Sequence, residues 1–404
     1  MKISFFSNFL NHHQLPFCKE MIKKIGDNFV FIAMEETPKE RLSMGYEDMN
    51  KKFSFVLPCY ASEENKRKAL KIAYESDVVI LGDAPDIYIT ERLKSNKLTF
   101  RFRERIFKRG ISHALDPRVI RSMLKSHTKY RYKNLRLLCA GGYVPYDMKL
   151  FAAYPNKMYK WGYFPETKQY DIKRLLEEKE KNTEIYVLWV GRLIKWKHPE
   201  SAILVAEFLR KEGIKYRLDI IGEGVLEKKL IKFVKEKNLY NNVNFLGTMS
   251  PEKVRIYMEK ANIYLFTSDF GEGWGAVLNE AMNSGCAVIA SHAIGSVPYL
   301  LKHMKNGIIY QNGNDEDLCK KVLELCQNQN LRNRLGTDAY KTIVSEWCPR
   351  KAAENFYNLC THLLCGTELS IVSGPGSIAD VIGQKKMYRY LTLMRDDEKN
   401  EDFK

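Results

Sequence analysis

The chain has 404 residues, 45% of them hydrophobic and 12% aromatic, which is ample for packed cores and excludes wholesale disorder. Lys and Arg total 65 against 49 Asp and Glu, a net charge of +16, and no apolar run reaches the roughly 18 residues of a membrane span. Nine scattered cysteines, an odd number without a Cys-x-x-Cys pair, read as reduced thiols of a cytoplasmic protein.

In chain order, the first half alternates strands and helices. Strands are predicted over 3–6, 29–34, 77–81, 98–102 and 135–139, with helices over 16–25, 63–75, 87–94 and 118–126. The opening residues are interrupted by Ser4, Ser7 and Asn8 and do not read as a secretory signal. The second half repeats the pattern, with strands over 186–190, 218–221, 243–246, 263–266, 287–290 and 307–309. Helices are predicted over 199–211, 226–237, 251–260, 276–284 and 316–327. Such interleaving implies parallel sheets covered on both faces. The fold class predicted is therefore α/β, with domains over 1–166 and 167–345. The charged stretch 168–182 marks their junction, a helix over 346–366 crosses back to the first domain, and 367–404 is a peripheral tail.

Charge is uneven. Residues 91–136 hold 15 Lys and Arg against 3 Asp and Glu, a local excess of 12. A positive potential of that size suits anionic lipid headgroups or phosphorylated substrates, and the alternative is a solvated basic face. Asp116-Pro117 opens an amphipathic helix in this stretch. Val119, Ile120, Met123 and Leu124 form its apolar stripe, with Arg118, Arg121 and Lys125 outside it. No nucleic-acid motif accompanies the charge, so no nucleic acid is expected as partner.

Ligands of open parallel sheets bind outside the carboxyl ends of the strands, so functional residues should follow strands. Four turns of the second half meet that condition. The segment Phe270-Gly271-Glu272-Gly273-Trp274-Gly275-Ala276-Val277-Leu278-Asn279-Glu280 follows the strand 263–266 and opens a helix. Its glycines allow close backbone approach, the helix start suits an anion, and Glu272 and Glu280 suit sugar hydroxyls. The bland reading is a turn with a solvated Glu280. Gly191-Arg192-Leu193-Ile194-Lys195-Trp196-Lys197-His198 follows the strand 186–190, and Arg192 and Lys197 suit a diphosphate. Ile221-Gly222-Glu223-Gly224 and Gly247-Thr248-Met249-Ser250-Pro251 complete the set, with Ser250 a helix N-cap.

Together these turns resemble the carboxy-terminal domain of family 4 (group 1) retaining glycosyltransferases with the GT-B fold. The resemblance runs from about Tyr186 to Tyr310 and includes Gly-Arg followed by Lys, Gly-Glu-Gly, Phe-Leu-Gly, and Glu272…Glu280. It implies two Rossmann-like parallel-sheet domains facing across a cleft, and transfer of a sugar from a nucleotide sugar with retention. Arg192 and Lys197 would bind the donor diphosphate, Glu280 the ribose hydroxyls and Glu272 the donor sugar. Gly191, Gly222, Gly224, Gly273, Trp274, Gly275, Val277 and Leu278 would complete the donor site, with Met249 and Val254 beside the base. Neither cofactor nor metal is expected, since the nucleotide sugar is a substrate and no Asp-x-Asp turn stands at a strand end.

The first half is less standard. Asn11-His12-His13-Gln14-Leu15-Pro16 resembles a string found in bacterial polysaccharide glycosyltransferases, and it places His12 and His13 among the catalytic candidates. A turn or cap role for Asn11 and His12 is the alternative. Where family members carry a later histidine, this chain has Arg103-Glu104-Arg105. Glu104 and Arg105 are the proposed replacements, with Gly142 and Tyr143 also on the acceptor side, while His113 and His127 read as solvated. The acceptor implied is a glycan or lipid-linked glycan of cell-surface polysaccharide synthesis, met in the cytoplasm or at an anionic inner membrane face. Another GT-B nucleotide-sugar enzyme of epimerase type, or a non-catalytic basic binding protein, are the alternative readings.

Overall fold

A computed structural model describes residues 1–43, 47–108, 110–368 and 370–393. Arg109 of the basic stretch, and Leu369 and residues 394–404 of the expected tail, lie outside the described residues. The chain divides into two compact units, Met1–Glu166 with Glu346–Ile382, and Thr167–Ser345 with Gly383–Lys404.

The first unit holds seven strands: β1 (Ile3–Ser7), β2 (Phe29–Ala33), β3 (Val56–Pro58), β4 (Val78–Leu81), β5 (Thr99–Glu104), β6 (Leu135–Ala140) and β7 (Met158–Trp161). They pair in parallel in the order β3-β2-β1-β4-β5-β6-β7. β1 and β4 read as unbroken apolar or small runs because helices cover both sheet faces, leaving no solvent side for polar residues. The helix Pro349–Cys365 belongs to this unit. Its Phe356 packs against Phe17 and Trp161, with ring centroids 6.1 and 5.5 Å away.

The second unit holds β8 (Ile185–Val190), β9 (Tyr216–Ile221), β10 (Val243–Phe245), β11 (Ile263–Phe266), β12 (Ala287–Ser291) and β13 (Ile308–Tyr310). These also pair in parallel, in the order β10-β9-β8-β11-β12-β13. Its core gathers Val187, Trp189, Leu218, Ile220, Ile263, Leu265 and Ile289 from the sheet with Ile203, Val205 and Leu209 of the helix Pro199–Lys211.

The charged stretch after the unit boundary contains a helix, Ile172–Lys179, that packs into the second unit. Lys179 is buried there because its ammonium finds the Met258, Ala261 and Ser284 carbonyls at 3.1, 2.7 and 2.8 Å. The expected peripheral tail is also packed. Gly376 and Ala379 donate to the carbonyls of Lys160 and Met158, and Ser377 accepts from Lys160, extending the β7 edge. The helix Gln384–Leu393 then buries Met387 and Leu391. Finally, His127 is buried rather than solvated, with Nδ1 2.5 Å from the Tyr154 hydroxyl, and burial lowers its pKa to about 3. Among the described residues no helix is long and apolar enough to cross a membrane.

Candidate functional site

The strand order of the second sheet reverses between β8 and β11, and the turns after such neighbouring strands are where open α/β sheets bind ligands. The turn after β8 is fixed first by its backbone. Gly191 N–H donates to the Ile221 carbonyl at 3.0 Å, Leu193 N–H to that of Glu223 at 2.9 Å, and Leu226 N–H to that of Leu193 at 3.0 Å. This zipper requires glycine at 222, which has φ +131°. A Cβ there would lie 2.0 Å from the Gly191 carbonyl oxygen. Gly222 N–H donates in turn to the Gly247 carbonyl at 2.8 Å, and the Thr248 N–H lies 3.3 Å from Oε1 of Glu223. The turns after β8, β9 and β10 are therefore one continuous edge. Met249 and Val254 lie partly exposed at its end, where Ser250 caps the helix Pro251–Lys260.

The turn after β11 meets the turn after β8 side by side. Asp269 N–H donates to the Trp196 carbonyl at 2.9 Å, and the Thr267 hydroxyl lies 2.7 Å from the Lys197 carbonyl. Thr267 is itself held by Nε1–H of buried Trp189 at 2.8 Å. The Lys197 ammonium consequently pairs with Oε2 of Glu272, which also accepts from Ser268 Oγ at 3.0 Å. Arg192 is exposed, makes no ion pair among the described residues, and lies 5.8 Å from the centre of the Trp196 ring. Lys197 approaches the same ring at 4.6 Å.

Glu280 follows on the helix Val277–Asn283, one residue shorter at each end than expected. It is half-buried, and its pKa is pushed up to about 7. Loss of solvation is the largest cause and Glu252 adds to it, while Arg255 opposes it. Buried Arg255 donates to the Asn283 side chain. Burial, then Glu280 and Glu272 among other charges, hold the pKa of the Tyr264 hydroxyl well above its usual value. Arg192, Lys197, Glu272 and Glu280 thus gather at one edge of this unit.

Other donor-site candidates are corrected in role. The Trp274 and Leu278 side chains are fully buried, and Trp274 Nε1–H donates to Asn279 at 2.9 Å. They are core residues that hold the loop in shape, so only their backbone is offered to a ligand. Gly275, with φ +82°, lies against the Phe266 ring, while half-buried Val277 and buried Gly273 continue the loop. Gly295, which the sequence reading missed, presses on this loop: a Cβ there would lie 1.7 Å from the Gly273 carbonyl oxygen. Its position in a turn after β12 was the available signal.

The first-unit candidates divide. His12 and His13 leave β1 beside β4, the switch point of that sheet, with ring centroids 3.7 Å apart. Burial, then His12 and Arg41, hold the His13 pKa well below the usual histidine value, so its ring is neutral. Asn11 does take the capping role, accepting from His13 N–H and Gln14 N–H at 3.0 and 3.1 Å. Glu104 is half-buried, accepts from Lys108 at 2.6 Å, and interacts with the Tyr163 hydroxyl. Arg105 and Tyr143 are not lining residues. Both are buried, Arg105 with Asp147 at 3.6 Å and over the Tyr143 ring at 4.9 Å, and Gly142 is buried beside them. A buried guanidinium needs that carboxylate, and Asp147 lies too far along the chain for local reading to pair them.

Residues 171–342 match the family described as Glycosyl transferases group 1. The poly(ribitol-phosphate) alpha-N-acetylglucosaminyltransferase of Staphylococcus aureus is 30% identical over 182 residues, 45% of this chain and 36% of that protein. The N-acetylgalactosamine-N,N'-diacetylbacillosaminyl-diphospho-undecaprenol 4-alpha-N-acetylgalactosaminyltransferase of Campylobacter jejuni is 32% identical over 149 residues, 36% of this chain and 39% of that protein. The chain thus spans less than two fifths of the length of these curated relatives. Among solved structures, Anabaena HepE in complex with UDP has the same fold, with a TM-score of 0.66 at 14% identity over 91% of this chain and 100% of that one. The edge built by Arg192, Lys197, Glu272 and Glu280 lies inside the segment, residues 171–342, that matches the group 1 glycosyltransferase family.

Proposed function

We propose that the chain is a glycosyltransferase that moves a sugar from a nucleotide-sugar donor to a glycan or lipid-linked acceptor, with retention, in cell-surface polysaccharide synthesis. The observation that carries this reading is the convergence of Arg192 and the Lys197–Glu272 pair on the β8/β11 switch point, with Glu280 beside them. Breaking the bond between the anomeric carbon and the diphosphate oxygen leaves the electron pair on the diphosphate. Arg192 supplies a cation unspent on any carboxylate of the described residues, and Lys197 retains two N–H donors beyond the one given to Glu272. The acceptor hydroxyl attacks the same carbon and its proton ends on the departing phosphate. Glu280 holds the ribose hydroxyls and Glu272 those of the sugar. His12 and His13 serve the acceptor side at the switch point of the first sheet. Thermal-shift measurement with UDP, GDP, ADP and their sugars tests the reading, since a ligand of the folded state raises its melting temperature. One nucleotide should stabilise the protein and its sugar should turn over when acceptor is added. Epimerisation of a nucleotide sugar without acceptor would favour the epimerase alternative.

The reading extends to an anionic membrane surface as partner. On and beside the helix Pro117–Ser126, Leu115, Leu124 and Tyr132 are 79%, 47% and 81% exposed among the exposed cations Arg118, Arg121, Lys125, Lys129 and Lys133. Of the apolar stripe, Val119 and Ile120 are half-buried, Met123 is buried and Leu124 alone is exposed. The two carboxylates between Arg105 and Lys160 are Asp116, half-buried against Arg118, and buried Asp147. Apart from Arg118, paired with Asp116, these cations make no ion pair among the described residues, and apolar side chains standing among them suit a lipid interface better than a soluble polyanion, at about 1 kcal/mol per cation near the surface. The protein should sediment with phosphatidylglycerol-containing vesicles but not with phosphatidylcholine alone, and Leu115→Ser with Leu124→Ser and Tyr132→Ser should release it. Equal binding to both vesicle types would remove the electrostatic argument.

A further inference from the structure

Between Lys197 and Pro199 the backbone does something unusual for its residue. His198 has φ 49° and ψ 53°, the left-handed region that glycine favours, at the start of the helix Pro199–Lys211. The surrounding structure must hold it there, and the imidazole shows how. Nε2 lies 3.1 Å from Oδ2 of Asp269 and Nδ1 lies 2.9 Å from Oε1 of Glu200. Asp269 stands three residues before Glu272 in the turn after β11, and its second oxygen accepts from Gly271 N–H at 2.7 Å. A single ring therefore ties the turn that carries Lys197 to the loop that carries Glu272.

We propose that His198 is a positioning residue: as an imidazolium bridging Glu200 and Asp269 it clamps the Lys197 turn against the Glu272 loop, and nucleotide binding depends on that clamp. The inference rests on the reading of this edge as a nucleotide-diphosphate site. A neutral ring carries one N–H and satisfies one carboxylate, whereas the charged ring donates to both. The hydrogen bonds to Asp269 and then Glu200 raise the His198 pKa to about 9, against the opposing effect of burial. The other charges facing this assembly are Lys195, which acts on Asp269, and Lys229 of the helix Glu227–Glu236, which acts on Glu200. Because the folded-state pKa is raised, the clamp is complete below the ordinary histidine value near 6.5. It is lost as pH rises through about 9.

The test is the dissociation constant of whichever of UDP, GDP or ADP stabilises the parent protein, measured from pH 7 to 10 alongside the melting temperature. His198→Gly removes the ring while suiting the left-handed backbone, and should weaken binding about tenfold at pH 7. The parent should lose affinity above pH 9 toward the level of the variant, which should lack that step. Asp269→Asn should reproduce His198→Gly, and the two losses should not add. His198→Asn, which keeps a polar group and tolerates the same backbone, should recover part of the affinity and serves if the glycine variant does not fold. Parent-like affinity and pH dependence in the variants overturn the clamp alone. No binding of any of the three nucleotides by the parent overturns the functional reading and the clamp with it.

Discussion

Lys197→Ala is expected to lower kcat by about 10²–10³-fold, the size of effect seen when a group that stabilises developing negative charge is removed. It should also destabilise the second unit by about 3–5 kcal/mol, because the Lys197 and Glu272 side chains are only 13% and 11% exposed and the substitution leaves a buried carboxylate unpaired. The two effects separate in the double variant Lys197→Ala with Glu272→Ala. Removing both partners should return much of the lost stability while turnover stays low. Initial rates and thermal melts on the parent, both single variants and the double variant make the comparison. Recovery of turnover in the double variant would assign Lys197 a purely structural role.

Glu280→Gln should reduce kcat/KM by about 10- to 100-fold, the equivalent of one or two charge-assisted hydrogen bonds, while leaving the melting temperature near or above that of the parent. The carboxyl of Glu280 is raised to about 7, so in the free protein it carries a proton over part of the neutral range. A raised carboxylate pKa means that the group favours the folded state fully below its unfolded value near 4.5, and that this contribution fades as pH climbs through about 7. Ribose hydroxyls donate best to the ionised form. Nucleotide affinity should therefore rise between pH 6 and 8 in the parent, and that rise should be missing in Glu280→Gln. This window lies below the one set by His198, so the two groups are told apart in a single pH series. A parent-like pH profile in the glutamine variant would remove Glu280 from the ribose.

The parts of the fold legible in the sequence are those with a local physical signature. Strands such as β4, β8 and β12 are apolar or small throughout, and the four glycine turns of the candidate site follow β8, β9, β10 and β11. β3 and β7 went unread because they are short, three and four residues, and carry Pro58 and Lys160. The helix Ile172–Lys179 went unread because its lysines and glutamates look solvated, whereas Lys179 is drawn inward by three carbonyls that arrive from distant segments.

The site divides along the same line. Arg192, Lys197, Glu272 and Glu280 were legible because each sits at a fixed offset from a strand end. The pairings that give those residues their properties were not. His198 stands beside Lys197 in the sequence, but its partner Asp269 comes from the turn after β11. The corrected positions of Arg105 and Tyr143 have the same cause, since burial beside Asp147 is decided by how β5 and the helix Val144–Lys149 pack.

A crystal structure of the protein grown with whichever of UDP, GDP or ADP raises its melting temperature decides whether the second unit holds the donor. The diphosphate should lie within hydrogen-bond reach of Arg192 and Lys197, the ribose on Glu280 and the base near Met249 and Val254. A nucleotide bound in the first unit, or bound in the second without touching Arg192 or Glu280, would contradict this placement.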